Sequence, residues 1–369
     1  MIFHTTYKKP VLLVGNGARF SGAVDLIHEF VKRTHIPVLT TMNAVDLAQD
    51  DIRLGFIGTY GNRVANMILL ECDLLISVGA RLGLRQIGHL RERFAPKAKL
   101  VRVDIDQNEL SRIVKEDETQ YLMDATSFMH QLLSEEVPDF SDWWNRCMKA
   151  KNLLEQYDDE LGNLVVKKIS SVLPPNPVVS VDVGQNQCWC AQSLSLKGDA
   201  GRILICGGYG SMGCGLPMAI GSSIAMNNEI VYCITGDGGL QMNIQELETI
   251  VAEHLPVKII VMNNHALGKI SEIQYVSYGS RYAQTTSGSG YRVPAFDKVA
   301  EAYGIRAVSL DSYEELDSYA EWLIDKEPCL ININMPENTL LIPKIKWESG
   351  EILPKLSEKL LSEVNELLQ

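Results

Sequence analysis

Two polar clusters, each at the end of an apolar segment, are the part of this sequence best suited to chemistry. Gly236-Asp237-Gly238 follows the run EIVYCIT, and Asn263-Asn264 follows the run VKIIVM. Asp237 offers a carboxylate oxygen and Asn264 a carboxamide oxygen. Both are ligands that Mg²⁺ prefers, and this ion usually draws its remaining oxygens from phosphate and water. The two clusters therefore predict a site for Mg²⁺ and a phosphate-bearing ligand.

The apolar runs before the clusters would bring these residues together. Both runs are short and β-branched, as expected for parallel strands covered on both faces, and a helix-length stretch separates them. A right-handed strand–helix–strand crossover places both strand ends at one edge of the sheet. The glycines beside Asp237, and a helix expected to begin near Asn243, would direct N–H groups toward a phosphate. Taken singly, each cluster is also typical of a turn or a helix cap.

The rest of the chain alternates strand-like and helix-like segments in two blocks. In the first block, strands are predicted within 10–17, 36–41, 72–81 and 98–110, and a helix over 21–34 has Ser21 as its expected N-cap. In the second block, strands are predicted at VVSVDV, RILIC, EIVYCIT, VKIIVM, IRAVSL and PCLININMP, with helices over 295–303 and 312–325. This pattern predicts an α/β protein with two doubly wound parallel-sheet domains. We expect domains over 1–130 and 161–345, a helical linker over 131–160, and a C-terminal helix within 346–369.

The composition argues against several classes of partner. The 369 residues include 34 Lys and Arg against 46 Asp and Glu, a net charge of −12 that disfavours nucleic acid. No apolar stretch is long enough to span a membrane, and the N-terminal MIFHTTYKKP lacks the apolar region of a secretory signal. Eight scattered cysteines suggest a reduced, cytoplasmic protein. One residue separates Cys188 from Cys190, so core packing is favoured over a zinc or redox pair.

Further motifs occur in the order found in thiamine diphosphate-dependent enzymes, and the chain resembles the acetolactate synthase-like branch of that family. The GDG and NN clusters are the family's signature for the cofactor's diphosphate and Mg²⁺. The other matching segments are GQNQ at 184–187, GYGSMG at 208–213, GLPMAIGS at 215–222, GNG at 15–17, LGFIGTYGN at 54–62, VGARLGLR at 78–85 and VDIDQNEL at 103–110. The resemblance runs from about residue 8 to about residue 340. It implies that the first domain is the family's middle domain and the second its diphosphate-binding domain.

The resemblance implies specific roles for residues of the second domain. Asp237, Asn264 and the carbonyl of Ala266 would hold the metal. Met212 would be the apolar wedge that bends the cofactor, although an ordinary core methionine is the alternative, and the Gly210 carbonyl would accept from the pyrimidine amino group. The implied cofactor-binding residues are Gly184, Gln185, Asn186, Gln187, Gly210, Ser211, Met212, Gly236, Asp237, Gly238, Gly239, Asn264, Ala266 and Leu267.

FAD is a further cofactor that the resemblance allows in the first domain without requiring it. Arg81 and Arg85 match two arginines of the family, but Gly83-Leu84 replaces the two acidic residues that usually lie between them. Any FAD would lie near Gly15, Arg81 and Asp106, although Asp106 is also typical of a strand end.

Other features depart from the family. Its members have an N-terminal pyrimidine-binding domain that carries the activating glutamate, and no glutamate of this sequence matches that position. The family also binds its cofactor between subunits, so we expect a homo-oligomer or a separate chain carrying the pyrimidine domain. In the stretch where acetolactate synthases usually have Gln-Trp, this chain has Lys269 and Glu272. These two residues would lie either at the pocket mouth or on a solvated helix face.

The leading hypothesis is a thiamine diphosphate- and Mg²⁺-dependent carboligase or decarboxylase that acts on a 2-keto acid. A carboligase that uses a keto sugar or another aldehyde as acceptor is one alternative. A catalytically silent cofactor-binding or subunit-association module is another. A generic dinucleotide-binding protein is disfavoured, because GNGARF rather than G-x-G-x-x-G follows the first strand.

Overall fold

Parallel pairing of the apolar runs organises the chain into two sheets. In this computed structural model, residues 2–3, 7–48, 52–155 and 157–369 are described. The chain divides into unit 1, made of Met1–Asp158 with Ile342–Gln369, and unit 2, made of Asp159–Leu341. Each unit has a six-stranded sheet whose neighbouring strands all run parallel. The predicted α/β fold class with two parallel-sheet domains is confirmed.

The sheet of unit 1 has the strand order β3-β2-β1-β4-β5-β6, so the chain winds outward from β1 in both directions. Alternate residues of β1 enter two different apolar clusters, with Val11 and Leu13 in one and Leu12 and Val14 in the other. The strands are β1 Pro10–Val14, β2 Val38–Thr40, β3 Arg53–Phe56, β4 Leu74–Val78, β5 Lys99–Asp104 and β6 Thr119–Leu122. The edge strands β3 and β6 were not predicted, because β3 contains a glycine and the largely exposed β6 has no apolar run.

The helices of unit 1 are α1 Gly17–Phe20, α2 Val24–Thr34, α3 Arg63–Glu71, α4 Leu84–Ile87, α5 Gln107–Ser111, α6 Ala125–Ser134 and α7 Ser141–Leu154. The expected N-cap at Ser21 is wrong. Gly22 has a φ of 77°, which separates α1 from α2, and Ala23 occupies the N-cap position. The hydroxyl of Ser21 instead donates back to the carbonyl of Ala18 at 2.9 Å.

The sheet of unit 2 has the order β11-β12-β10-β9-β7-β8. Its strands are β7 Val178–Val181, β8 Arg202–Ile205, β9 Val231–Gly236, β10 Val257–Asn263, β11 Arg306–Leu310 and β12 Cys329–Asn334. The chain passes from β7 outward to β8 and then returns to β9 on the other side of β7. Such a reversal leaves a crevice at the carboxyl ends of β7 and β9, where open α/β sheets bind their ligands.

The helices of unit 2 are α8 Leu161–Val172, α9 Gln185–Ser193, α10 Gly215–Ala225, α11 Asp237–Met242, α12 Leu247–Ala252, α13 Gly268–Ser277 and α14 Phe296–Ala302. The helix expected from near Asn243 begins earlier, at Asp237, and α11 ends where Asn243 adopts a φ of −135°. The side chain of Asn243 donates to the carbonyl of Gly213 at 2.8 Å, which ties this break to a neighbouring loop. Tyr313–Leu323, predicted as part of a helix, is a 3₁₀ helix.

The C-terminal residues of the chain belong to unit 1. They form the two-stranded pair β13 Lys344–Ile345 and β14 Ile352–Leu353, followed by α15 Glu358–Leu368. Val364 and Leu368 of α15 lie in the same apolar cluster as Trp143 and Cys147 of α7.

The cysteines agree with a further expectation from the sequence. All eight cysteines are free thiols, and Cys188 and Cys190 are buried, as core packing predicts. No helix in the described part of the chain is long and apolar enough to cross a bilayer.

Candidate functional site

The carboxyl end of β7 carries a buried acid that organises the crevice. The carboxylate of Asp182 accepts hydrogen bonds from the N–H of Val183 at 2.8 Å, the N–H of Gly213 at 3.0 Å and the hydroxyl of Thr235 at 3.1 Å. Burial raises the pKa of Asp182, and these hydrogen bonds oppose the shift. Asp182 therefore joins β7, the loop before α10 and the end of β9. Asp182 was not among the predicted site residues, although an acid directly after a buried strand and before GQNQ was a usable signal.

The GQNQ segment begins at Gly184, whose φ of 131° and ψ of −156° strongly favour glycine. The side-chain amide of Asn186 donates to the carbonyl of Asp182 at 2.8 Å and to that of Ile234 at 3.4 Å, so it bridges the ends of β7 and β9. The Nε2 of Gln187 is buried and has no hydrogen-bond partner among the described residues. A buried donor without a partner costs free energy, and a bound oxyanion would satisfy it.

Asp237 lies at the end of β9 and is 2% exposed. Its Oδ1 accepts from the N–H of Gly238 at 2.7 Å, and its Oδ2 accepts from the N–H of Ala266 at 3.0 Å. Burial raises the pKa of Asp237 to about 7, against the effect of these backbone hydrogen bonds. The carboxylate thus lies in a place that disfavours its charge, and a bound cation would favour the ionised form.

Asn264 follows β10, whose Met262 pairs with Gly236 of β9. The predicted adjacency of these two strands is confirmed, and the bond between Ala266 and Asp237 joins the two segments directly. The Nδ2 of Asn264 donates to Thr339 Oγ1 at 2.8 Å and to Gln185 Oε1 at 3.3 Å. These partners fix the orientation of the amide, with Nδ2 directed toward Thr339 and Gln185.

Gln185 forms a polar network beside Asn264. Its Oε1 accepts from Thr339 Oγ1 at 2.8 Å, and its Nε2 donates to the carbonyl of Thr339 at 3.0 Å and to Glu272 at 3.4 Å. Glu272 is 6% exposed, so the alternative of a solvated helix face is wrong for this residue. Lys269 is half-buried. Thr339 was not recognised from the sequence, because it lies 75 residues beyond Asn264 and outside any motif.

Three glycines of the site lie where the neighbouring atoms leave no space for a side chain. A Cβ at Gly239 would lie 2.0 Å from Asp182 Oδ2, and a Cβ at Gly268 would lie 2.0 Å from Gln185 Oε1. At Gly238, a Cβ would lie 2.6 Å from the side chain of Leu267. The backbone at these positions therefore approaches its neighbours more closely than any other residue type allows.

The segment 207–212 lies at the surface of unit 2. Gly210 has a φ of 62°, and Ser211 is exposed. Met212 is 40% exposed, so it is not an ordinary core methionine. Its Cε would be 3.4 Å from a Cβ at Gly238, which places the side chain over the first turn of α11, the turn that carries Asp237. The structure thus brings Met212 and Leu267 to the same glycine.

The arrangement suits a metal-bound diphosphate. Asp237 and Asn264 would supply hard oxygen ligands at one edge of the sheet, and the buried carboxylate accepts from the N–H groups of Gly238 and Ala266. The unpartnered amide of Gln187 and the N-terminal end of α9 offer N–H donors to an anion. The residues present therefore fit Mg²⁺ and a diphosphate group.

The second candidate site, in unit 1, is explained by packing and capping. A Cβ at Gly15 would lie 2.2 Å from the carbonyl oxygen of Gly79, so the glycine permits close contact within the sheet. Arg81 is paired with Glu109 at 2.7 Å, and Asp106 caps α5 by accepting from the N–H of Asn108 at 2.8 Å. FAD binding near these residues stays a prediction.

Comparison with known protein families gives two matches. Residues 5–132 match the family described as thiamine pyrophosphate enzyme, central domain. Residues 182–333 match the family described as thiamine pyrophosphate enzyme, C-terminal TPP binding domain. Together these matches cover more than half of the chain, and the second includes most of the candidate site.

Curated relatives with similar sequences are named as acetolactate synthase large subunits. The chain is 34% identical over 351 residues to the one from Pyropia yezoensis, covering 91% of this chain and 58% of the relative. It is 33% identical over 347 residues to the one from Lactococcus lactis, covering 92% and 59%. It is 31% identical over 360 residues to the isozyme 2 large subunit of Escherichia coli, covering 95% and 64%. The chain therefore spans about three fifths of the length of these relatives. It belongs to the thiamine pyrophosphate enzyme family and is similar in sequence to acetolactate synthase large subunits.

Proposed function

We propose that this chain binds thiamine diphosphate through Mg²⁺ and takes part in decarboxylation or carboligation of a 2-keto acid. The observation that carries the proposal is the buried carboxylate of Asp237, which lies beside the Asn264 segment at the edge of the sheet and accepts from Ala266 at 3.0 Å. Burial raises its pKa to about 7, and a cation bound beside the carboxylate would favour the ionised form.

The residues of the site would hold the cofactor in separate ways. Asp237, Asn264 and the carbonyl of Ala266 would bind Mg²⁺, and the Nε2 of Gln187 would donate to a diphosphate oxygen. Met212 would support the ring portion of the cofactor from its position over Gly238. When bound, thiamine diphosphate supplies an electron sink for the carbon that loses CO₂. The part of the protein in this chain orients that group and keeps its diphosphate in place.

A further domain completes this proposal. Activation of the aminopyrimidine requires a carboxylate beside it, and no glutamate of this sequence matches the family's activating residue. We propose that protein outside these 369 residues supplies it, either as a further part of the same polypeptide or as a separate chain. A homo-oligomer in which two subunits share each cofactor is the corresponding arrangement.

The substrate side of the proposal rests on the residues after Asn264. Glu272 is buried against Gln185, where a charged group would influence what enters the site. Because Lys269 and Glu272 stand in the stretch where acetolactate synthases usually have Gln-Trp, we propose an acceptor other than a second pyruvate. A keto sugar or an aldehyde is the alternative class of acceptor.

Calorimetry with thiamine diphosphate and Mg²⁺ tests the binding part of the proposal. We expect saturable binding that requires Mg²⁺ and is lost in Asp237→Ala, since the substitution removes the one charged group among the three proposed metal ligands. Asp317→Ala is the matched control, because Asp317 has a side chain that is 67% exposed and paired with Lys168. Unchanged cofactor affinity in Asp237→Ala would show that the metal assignment is wrong.

Release of CO₂ from pyruvate tests the catalytic part. We expect little release by the 369-residue chain alone, because general acid–base groups typically contribute about 10² to 10⁴ in rate. Adding a pyrimidine-binding domain in trans should restore turnover. Brisk turnover by the chain alone would contradict the need for that domain. Cofactor binding without turnover in its presence would instead favour the alternative of a silent binding module.

A further inference from the structure

One hydroxyl near Asp237 has no role in the site described so far. Tyr291 is half-buried, and its Oη would be 3.2 Å from a Cβ at Gly238. It therefore lies over the same turn as Met212 and Leu267. None of the sequence motifs includes Tyr291, which lies 54 positions beyond Asp237 in a segment rich in serine and glycine.

The main chain around Tyr291 is held in place by hydrogen bonds within unit 2. The N–H of Tyr291 donates to the carbonyl of Thr286 at 3.0 Å, and the guanidinium of Arg292 donates to the carbonyl of Tyr291 at 2.7 Å. The carbonyl of Thr285, the residue before Thr286, accepts from the N–H of Leu267 at 2.9 Å. The Tyr291 segment is thus tied to the segment that follows Asn264, and the phenol is positioned before any ligand binds.

The hydrogen bonding of the phenol leaves its proton unused. Nε2 of Gln241 donates to Tyr291 Oη at 3.1 Å, so the oxygen acts as an acceptor in that contact. Among the described residues, Gln241 is the only hydrogen-bond partner of this hydroxyl. Burial, with a smaller contribution from the charge of Asp237, raises the pKa of Tyr291. The hydroxyl is therefore protonated at neutral pH and able to donate.

We propose that Tyr291 is a cofactor-binding residue whose hydroxyl, oriented by Gln241, donates a hydrogen bond to an oxygen of the diphosphate group at the Gly238-Gly239 turn. This inference rests on the proposed function and adds a donor to the same site. A hydroxyl suits this place because a neutral donor can approach the diphosphate without competing with Mg²⁺ for the carboxylate of Asp237. Gln241 is then a positioning residue, since it acts through Tyr291.

The test compares Tyr291→Phe with the unchanged 369-residue chain in calorimetry. Two ligands are used in the presence of Mg²⁺: thiamine diphosphate, and inorganic diphosphate measured by its displacement of thiamine diphosphate. We expect Tyr291→Phe to weaken both ligands by the same factor of about ten, the loss typical of a hydrogen bond to a charged group. Tyr303→Phe is the matched control, because the hydroxyl of Tyr303 makes no hydrogen bond with the described residues.

Several outcomes would overturn the inference. If Tyr291→Phe weakens thiamine diphosphate but not inorganic diphosphate, the hydroxyl contacts the organic part of the cofactor. If affinity for both ligands is unchanged, Tyr291 has no direct contact with diphosphate. Asp237→Ala separates this result from failure of the proposed function, because that substitution abolishes Mg²⁺-dependent binding only if the metal site itself is correct.

The role of Gln241 has its own measurement. Gln241→Met removes the donor to Tyr291 while keeping a side chain of similar length, and we expect a smaller loss of affinity than in Tyr291→Phe. The double variant should bind no more weakly than Tyr291→Phe alone, because orientation of the hydroxyl is without effect once the hydroxyl is gone. Additive losses would show that Gln241 does not act through Tyr291.

Discussion

Acidic pH should weaken Mg²⁺-dependent binding of thiamine diphosphate because protons compete with the metal for Asp237. Burial raises the pKa of this carboxyl to about 7 in the cation-free protein. Only the ionised form binds Mg²⁺ well, so each metal ion bound below that pH must displace a proton. Affinity should therefore rise with pH and level off above about pH 8.

The size of the effect follows from the pKa. Relative to the plateau, the affinity should be about tenfold weaker at about pH 6 and about a hundredfold weaker at about pH 5, since each unit below the pKa reduces the ionised fraction tenfold. Calorimetry in two buffers with different heats of ionisation measures the number of protons released. We expect close to one proton from Asp237 at about pH 6 and close to none at about pH 8.

The diphosphate of the ligand also titrates in this range, so a control is required. The same titration with Asp237→Ala, at higher ligand concentration, reports the pH dependence that belongs to the ligand alone. The difference between the two proteins is the contribution of Asp237. Identical pH dependence in both proteins would refute the assignment of the raised pKa to metal binding at this carboxylate.

The raised pKa of Asp237 has the opposite consequence for the stability of the ligand-free protein, which should fall rather than rise with pH. The unfolded chain releases the Asp237 proton near the ordinary value of 3.8, whereas the folded chain retains it to about 7. Because the unfolded state binds fewer protons in this window, the contribution of Asp237 lowers the free energy of unfolding as the pH rises through it. Mg²⁺ and the cofactor should reverse this loss above about pH 7, which thermal unfolding with and without ligand would measure.

The remaining predictions concern packing, a buried charge and flavin. Gly268→Ala should weaken cofactor binding at least about tenfold in calorimetry, because its Cβ would lie 2.0 Å from Oε1 of the buried Gln185. Gly221→Ala is the control and should leave binding unchanged, because its Cβ would enter open space. Asp325→Ala should lower the free energy of unfolding in urea by about 2–3 kcal/mol, because it removes the half-exposed carboxylate paired at 2.9 Å with the fully buried Lys258, which keeps the Glu327 carbonyl as an acceptor. Asp317→Ala removes an exposed carboxylate paired with Lys168 and should lower the free energy of unfolding by less than about 1 kcal/mol. Equal losses in the two variants would contradict the argument from burial. If the middle domain binds FAD, the protein should acquire flavin absorbance on incubation with it, and a colourless protein after gel filtration would refute that prediction.

The local pattern of the sequence was sufficient for the sheet and for its two polar strand ends. Runs such as VKIIVM and EIVYCIT are apolar on both faces, so they predict buried parallel strands without knowledge of their neighbours. Parallel strands joined by a crossover end at the same edge, which is why Asp237 and Asn264 could be paired from the sequence. The polar edge strand β6 and the break between α1 and α2 at Gly22 carry no such pattern, and both were missed.

Local sequence in unit 2 was enough to predict a carboxylate after one buried strand, an amide after the next, and glycines where the backbone must come close. The residues that surround these groups follow from the packing of distant segments and could not be predicted from local sequence. Asp182 binds the loop of Gly213, Thr339 orients Asn264, and Tyr291 lies over Gly238, through contacts between segments 31 to 75 residues apart in the first two cases. Such contacts have no period and no fixed spacing, because they depend on how loops return to a shared sheet edge rather than on the conformation of any one segment.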